Sequence, residues 1–256
     1  MKVCMENIKK EHSSIKRVIG ILSGKGGVGK STVTVMLADS LLNHGYKVGI
    51  LDADITGSSI PSLLDIHEIQ LSSEDDTIIP FVTEKGLKVV SMSLMVDDKN
   101  QPIIWRGSVL SNVIQNIWNK AKWGDIDYLL IDMPPRNADI VLFVLQQIHP
   151  DGIIMVSIPQ DFVQTIVCKS IELVHQMNIK MIGTILNLSY ITCPCCGEEF
   201  TLYQENKVSN SGQRILGHLP AKSNLAELSA AKGVLDEETE KLITPITRVI
   251  LEEVKV

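Results

Sequence analysis

The chain has 256 residues, a formal net charge of −6 and 45% hydrophobic residues, values of an ordinary globular protein that exclude global disorder. The mild acidity argues against sequence-independent binding of nucleic acid, which normally needs a basic surface. Five cysteines are too few for a disulfide-held scaffold of this length, and three of them lie within four residues, from Cys193 to Cys196.

Apolar runs and helical patterns alternate along the chain. Short apolar runs predict strands over residues 18–22, 48–52, 88–92, 128–132, 152–157 and 181–188. The spacing of apolar residues between them predicts helices over residues 30–43, 109–120, 140–147 and 164–176. A closing helix is predicted over residues 237–255, with a kink or restart at Pro245. This alternation predicts an α/β fold, a single domain in which helices cover both faces of a mostly parallel sheet.

Polar segments interrupt this rhythm at three places. Residues 1–16 are interpreted as a polar N-terminal extension to a domain over residues 17–256. Residues 70–83 are predicted to be a surface excursion, and the cysteine-bearing segment near residues 190–210 an irregular insertion. No stretch approaches the ~20 apolar residues of a membrane span. We therefore expect a cytoplasmic protein with neither a membrane nor a nucleic acid as partner.

Residues 24–32 carry the most specific motif. They match the phosphate-loop pattern G-x-x-x-x-G-K-[ST] and run Gly24, Lys25, Gly26, Gly27, Val28, Gly29, Lys30, Ser31, Thr32. Glycines let successive backbone N–H groups turn inward around an anion, and the following helix N-terminus adds positive charge. Lys30 is placed to reach the β- and γ-phosphates of ATP, and the Ser31 hydroxyl to ligate Mg²⁺. The segment therefore predicts a nucleotide site.

Carboxylates at the ends of two predicted strands complete this site. Asp52 and Asp54 follow the second strand, and Asp132 ends a later apolar strand. The carboxyl ends of parallel strands line the crevice where ligands bind in open α/β sheets. We therefore expect Asp54 to orient the attacking water, Asp52 to lie near the Mg²⁺ shell, and Asp132 to hold Mg²⁺ through water.

The cysteine cluster predicts a metal site. Cys193 and Cys196 have C-x-x-C spacing, which can direct two thiolates at one metal. Tetrahedral Zn²⁺ or a [4Fe–4S] cluster needs four ligands, so the simplest completion is a symmetric dimer in which each chain supplies two. Cys195 lies inside the turn and is left as a spare thiol, and a reduced turn without metal is the alternative. Cys168 lies in a predicted helix, where we expect it to be buried.

The form of the phosphate loop resembles a particular class of P-loop proteins. A second lysine, Lys25, directly follows the first glycine, as in MinD and ParA, arsenite-pump ATPases, the nitrogenase iron protein and the Mrp/ApbC cluster carriers. In that class the early lysine reaches across a dimer interface to the partner's nucleotide. The resemblance implies that Lys25 is a catalytic group acting in trans, beside Lys30 and Asp54, whereas the alternative is a solvated loop lysine.

The whole pattern resembles the Mrp/ApbC family of iron–sulfur cluster carrier ATPases over about residues 15–225. The segments that carry it are the phosphate loop, Leu51-Asp52-Ala53-Asp54-Ile55 with Gly57 and Ser59-Ile60-Pro61, Trp105-Arg106-Gly107, Asp132-Met133-Pro134-Pro135, Asn187-Leu188-Ser189-Tyr190 and Cys193-Pro194-Cys195-Cys196-Gly197. The family implies a homodimer that holds a labile [4Fe–4S] cluster between its subunits. It implies transfer of that cluster to apo iron–sulfur proteins, with cluster scaffold proteins as further partners and ATP hydrolysis as the regulator. It also implies that Asn187 recognises the adenine edge and that Pro220 packs near the base.

One departure from the family bears on hydrolysis. The family usually has Pro-Pro-Gly-Thr-Gly-Asp after the Walker B strand, where this chain has Pro-Pro-Arg-Asn-Ala-Asp at residues 134–139. Because Arg136 replaces a glycine whose N–H approaches the γ-phosphate, we expect slow hydrolysis. The alternative function is a MinD/ParA-type positioning ATPase with a structural zinc knuckle. The mixed charges of residues 246–256 make a poor anionic-membrane anchor for that alternative.

Overall fold

The computed structural model describes residues 13–54, 57–67, 70–72, 77–94, 107–135, 138–160, 165–193, 195–202, 214–221 and 233–256. Its strands are β1 (Ser13–Ser23), β2 (Val48–Asp52), β3 (Gln70–Ser72), β4 (Thr77–Ile79), β5 (Phe81–Val82), β6 (Lys88–Ser91), β7 (Gly124–Asp132), β8 (Gly152–Ser157), β9 (Met181–Leu186), β10 (Tyr190–Thr192), β11 (Glu199–Thr201) and β12 (Ile215–His218).

Its α-helices, numbered in chain order, are α1 (Lys30–Asn43), α2 (Ile60–Leu63), α3 (Gly107–Lys120), α4 (Ala138–Phe143), α5 (Thr165–Gln176) and α6 (Glu237–Glu253). None of the helices in these ranges is long and apolar enough to cross a membrane.

The central sheet has the strand order β12-β9-β8-β1-β7-β2-β6-β5 among the described strands. All of its pairings are parallel except that of the short edge strand β5 with β6. Two further strand pairs, β3 with β4 and β10 with β11, are separate from this sheet. The expected α/β fold with a mostly parallel sheet is therefore confirmed.

Alternating side chains of the central strands enter two apolar cores, one on each face of the sheet. Leu51 and Leu129 belong to the core that α3, α4 and α5 cover, whereas Ile50 and Leu130 belong to the core that α1 and α6 cover. Every residue of β2 and of β8 is buried, and each strand is apolar except for its last residue, Asp52 or Ser157, as a sheet covered on both faces requires. Polar groups are thereby left to the strand ends.

Several element boundaries differ from those predicted. β1 begins at Ser13, inside the segment interpreted as an extension. By contrast, α1 spans the predicted residues 30–43. The helix predicted over 140–147 is α4 followed by a π-helical turn, Val144–Ile148. Residues 70–83 contain β3, β4 and β5 rather than only turns. The segment predicted to be irregular contains the hairpin of β10 and β11, and α6 continues through Pro245.

Candidate nucleotide site and cysteine hairpin

The phosphate loop joins the central strand β1 to α1. Gly27 and Gly29 have φ angles of 80° and 79°, in the left-handed region that favours glycine. Gly29 is the N-cap of α1 and has no side chain with which to cap the helix. The first N–H groups of α1 therefore remain available for an anion at the loop, as the sequence predicted for a phosphate.

One ammonium group and two hydroxyl groups lie close to the Asp132 carboxylate. Its Oδ1 lies 2.7 Å from Lys30 Nζ and accepts a hydrogen bond of 2.9 Å from Thr34 Oγ1. Its Oδ2 accepts a hydrogen bond of 2.6 Å from Ser31 Oγ. The carboxylate is fully buried, so ion pairing and hydrogen bonding offset the cost of removing its charge from water. Lys30 and Ser31, two groups expected to bind phosphate and Mg²⁺, are thus held next to Asp132.

Asp52 is a neighbour of Asp132 across paired strands, since β2 and β7 align these two residues in register. Its Oδ2 accepts hydrogen bonds from Ser58 Oγ and, at 2.7 Å, from Ser91 Oγ. Burial, and then the charge of Asp132, raise the pKa of Asp52 from 3.8 to about 7. Carboxylate and hydroxyl oxygens are the ligands that Mg²⁺ prefers. The residues at this edge of the sheet therefore fit the cation that usually accompanies a nucleotide.

Asp54 lies beside Asp52 and is almost fully buried. Its backbone N–H donates to Asp52 Oδ1 at 3.1 Å, and its own Oδ1 accepts from the Gly57 N–H at 3.0 Å. Asp54 is thus placed at the same strand end as the predicted cation ligands, and its role in orienting water stays a prediction.

Three hydroxyl groups of this site were not predicted from the sequence: Thr34, Ser58 and Ser91. Ser91 ends β6, the parallel neighbour of β2, so the rule that pointed to the strand-end carboxylates would also have found it. Thr34 lies one helical turn after Lys30 and gave no such signal. Ser58 depends on the path of the loop after β2, which no local pattern predicts.

Asn187 contacts the phosphate loop itself. It follows β9 directly, and its Nδ2 donates to the Val28 carbonyl at 2.9 Å in a buried contact. Pro220 follows Leu219, whose N–H donates to the Leu186 carbonyl. Both residues thus lie at the carboxyl edge of the sheet, and their contacts with adenine stay predictions.

The clustered cysteines lie at the turn of the hairpin formed by β10 and β11. The Cys193 N–H donates to the Glu198 carbonyl at 2.8 Å, and the Gly197 N–H donates to the Cys193 carbonyl at 2.9 Å. Gly197 has a φ of 75°, as the close turn requires. Cys195 and Cys196 are exposed, and Cys193 is half-buried. The turn thus presents its thiols at the surface.

The hairpin turn favours a thiolate at Cys193. Backbone N–H groups of Cys196 and Cys195 lower the pKa of Cys193, because they stabilise its ionised form. The thiolate is the form of cysteine that binds metal. Cys168 on α5 is exposed rather than buried, so that expectation was wrong: its position in the helix faces away from the core that Val167 and Ile171 enter.

Some predicted features lie outside the described residues: Ile55, Trp105, Arg106, Arg136, Asn137 and Pro194. Within the described part of the chain, no three His, Cys, Asp or Glu side chains form a group that could hold a metal ion.

Comparisons with known proteins agree with this architecture. The model of the ParA family, described as NUBPL iron-transfer P-loop NTPase, matches residues 14–255. An iron–sulfur cluster carrier protein of Clostridium perfringens is 41% identical over 84% of this chain and 80% of its own length. Another, of Methanocaldococcus jannaschii, is 39% identical over 97% of this chain and 88% of its own length.

Solved structures give the same result. A nucleotide-binding protein from Archaeoglobus fulgidus, solved in complex with ADP, aligns with a TM-score of 0.73 and 36% identity over 86% of this chain and 88% of that one. The cell-division ATPase MinD of Pyrococcus furiosus aligns with a TM-score of 0.67 over 92% of this chain and 98% of that one. At 20% identity, this second likeness supports the fold alone.

Proposed function

Because the chain belongs to the ParA family of NUBPL iron-transfer P-loop NTPases, we propose that it is an ATP-hydrolysing carrier of iron–sulfur clusters. In this proposal a homodimer holds a [4Fe–4S] cluster between its subunits and transfers it to apo iron–sulfur proteins. Two relatives that are 41% and 39% identical are named iron–sulfur cluster carrier proteins, and this supports an iron–sulfur cluster as the cargo.

The nucleotide half of the proposal rests on the residues around Asp132. Lys30 and Ser31 lie within hydrogen-bonding distance of this carboxylate, so ATP can bind by exchanging the Lys30 contact for its phosphates. Ser31, Asp132 and Asp52 would hold Mg²⁺, which when bound neutralises charge that develops on the β- and γ-phosphates. Asp54, at the end of the same strand as Asp52, would orient the attacking water. We expect slow hydrolysis because Arg136 replaces a glycine.

The carrier half of the proposal depends on the hairpin turn. Its single strongest observation is the closed turn that brings the half-buried Cys193 and the exposed Cys196 together, held by hydrogen bonds between Cys193 and the residues Glu198 and Gly197. N–H groups of the same turn lower the pKa of Cys193. N–H groups that stabilise a thiolate also hydrogen-bond the sulfurs of a bound cluster. Two thiolates per chain leave half of the cluster's four ligands to a second copy, so a dimer completes the site. Lys25 would then act on the nucleotide of the partner subunit.

Anaerobic reconstitution with iron and sulfide tests this function. We expect the wild-type chain to bind about two iron atoms per subunit, to gain the broad absorption of a cluster, and to elute as a dimer. The variant Cys193→Ser/Cys196→Ser should lose all three properties. Two matched controls, Cys195→Ser in the same turn and Cys168→Ser on α5, should keep them.

Two outcomes would contradict the proposal. One is equal iron binding by the wild type and the double variant. The other is a wild-type protein that takes up zinc but no iron, which would favour a structural zinc site instead.

A further inference from the structure

Asn187 joins the phosphate loop to the strand end from which the cysteine hairpin starts. On one side its Nδ2 donates to the Val28 carbonyl at 2.9 Å. On the other side its backbone N–H donates to the Ser157 carbonyl at 2.8 Å, which fixes the residue to β8. The residue is 7% exposed, so water has little access to either bond.

The contact with the loop is close. A Cβ atom on Gly29 would clash with Asn187 Nδ2, so a larger residue at this position would have to displace the Asn187 amide. Val28 and Gly29 immediately precede Lys30, and their peptide groups belong to the loop that would wrap the nucleotide phosphates. A shift of that backbone on nucleotide binding therefore displaces the carbonyl group to which the Asn187 amide donates.

The path from Asn187 to the thiols is short and well held. Leu188 has a φ of 54°, a turn that bulky residues rarely adopt. Ser189 Oγ then donates to the Leu186 carbonyl at 2.8 Å, and the Ser189 N–H donates to the Leu219 carbonyl at 2.9 Å. β10 begins at the next residue and leads directly to Cys193. Few torsions between the loop contact and the hairpin are free to absorb a displacement.

We propose that Asn187 is a positioning residue that couples the two sites: a nucleotide in the phosphate loop orders the cysteine hairpin through the Asn187–Val28 hydrogen bond. The nucleotide and the metal cargo then raise each other's affinity, since a coupling free energy acts equally in both directions. The effect on cargo rests on the proposed carrier function, whereas the ordering of the hairpin does not.

Hydrogen–deuterium exchange of the cargo-free chain tests the ordering directly. The reporters are the N–H groups of Cys193 and Gly197, both hydrogen-bonded within the turn. All proteins carry Lys25→Ala, so that the proposed contact across the dimer does not contribute. With saturating Mg·ADP we expect at least about fivefold slower exchange at both reporters. In Asn187→Ala, saturated with ADP, the exchange rates should be the same with and without nucleotide.

Two further variants separate coupling from simple loss of affinity or of folding. Ser31→Ala weakens Mg·ADP binding at the same site without touching Asn187, so at saturation it should keep the protection. Asn187→Asp keeps the size of the side chain but lacks the amide donor, so it should lose the protection even if Asn187→Ala does not fold. Unchanged exchange in the parent protein, or full protection in both Asn187 variants, would overturn the inference.

The cargo side is measured by ADP titration of cluster-loaded and cluster-free protein. We expect the ADP Kd to be at least about fivefold lower in the loaded form, and equal in both forms of Asn187→Ala. A chain that never loads a cluster contradicts the carrier function but leaves the exchange result standing. A chain that loads it with no change in ADP affinity contradicts the coupling.

Discussion

Lys30 and Asp132 form a buried ion pair at 2.7 Å in which the lysine is also the residue expected to bind phosphate. Removing the ammonium group takes away the main cation of the nucleotide site. In the bound state we expect Lys30 to pair with a phosphate group, and truncating one member of such a desolvated charge pair costs about 2–5 kcal/mol of binding free energy. We predict that Lys30→Ala weakens Mg·ADP binding at least about 30-fold, measured by calorimetry. Lys25→Ala is the matched control and should bind ADP like the wild type, whereas retained affinity in Lys30→Ala would contradict the assignment.

The pKa of Asp52, raised from 3.8 to about 7 by burial and by Asp132, predicts a pH-dependent stability. Between these two values the folded chain keeps a proton that the unfolded chain has lost. The free energy of unfolding therefore falls as the pH rises through this window. Denaturation without Mg²⁺ or nucleotide should show this fall in the wild type.

Asp52→Asn should not show this fall, because its amide does not titrate, so the stability difference between the two proteins should grow from about pH 4 to about pH 7. Asp125→Asn, an exposed site, is the control and should follow the wild type. A difference that stays constant with pH would show that Asp52 is already ionised in the folded protein.

Cys193 has its pKa lowered by the N–H groups of Cys196 and Cys195. Because only the thiolate is alkylated, we predict that iodoacetamide modifies Cys193 in the cargo-free protein at a lower pH than it modifies a free cysteine derivative. Mass spectrometry after a pH series gives the midpoint. The same series on urea-unfolded protein should remove the difference, and identical midpoints in both states would argue against the N–H contacts.

Among single residues, the sequence predicted those that lie at the end of a strand. Asp52 and Asp132 were found because the carboxyl edge of a parallel sheet collects polar groups. Thr34 was missed because a helical threonine usually bonds only a carbonyl one turn back, whereas the single hydrogen of the Thr34 hydroxyl lies between two acceptors, the Lys30 carbonyl and Asp132 Oδ1. The prediction for Cys168 was wrong because the spacing of apolar residues shows where the buried face of a helix is centred more reliably than where that face ends.

Among the elements, α6 contains a proline that costs stability. Pro245 is exposed, yet the helix is continuous from Glu237 to Glu253. Proline lacks the N–H that would bond the Lys241 carbonyl, and its ring crowds the preceding turn. We predict that Pro245→Ala raises the free energy of unfolding by about 1–2 kcal/mol, after allowing for the greater freedom of the unfolded chain.

Urea unfolding measures this change. Arg248→Ala, an exposed position on the same helix, is the control and should alter the free energy of unfolding by less than about 0.5 kcal/mol. A Pro245→Ala variant with a lower free energy of unfolding would mean that contacts of the proline ring stabilise the chain more than the missing helical hydrogen bond destabilises it.

Long buried elements were predicted well and short ones were not. The central strands and α1 have continuous apolar runs or helical spacing, which burial on both faces imposes. The strands of the hairpin have three residues each, with exposed Ile191 and Phe200. So short a segment contains too few residues for an alternating pattern, and its pairing depends on the turn between its strands.

In the proposed dimer, the trans role that we propose for Lys25 predicts complementation between two inactive variants. Lys25→Ala keeps its nucleotide site but supplies no lysine, whereas Lys30→Ala holds no nucleotide but can still supply Lys25 to its partner. We expect little ATP hydrolysis from either alone. An equimolar mixture should regain about a quarter of the wild-type rate, as measured by phosphate release, because about half of randomly paired dimers would be mixed and each of these would have one working site of two.

The double variant Lys25→Ala/Lys30→Ala, mixed with either single variant, is the control for this experiment and should restore nothing. A mixture no more active than the mean of its two components would place the role of Lys25 within its own subunit.

The hairpin of β10 and β11 pairs with itself rather than with the central sheet. The length and composition of the hairpin can therefore change without altering the register of β2 and β7, the strands that end in Asp52 and Asp132. In terms of protein evolution and design, the turn between its strands can be exchanged independently of the central sheet. Grafting another turn between Thr192 and Glu199 should therefore yield chains that keep the fold of the central sheet.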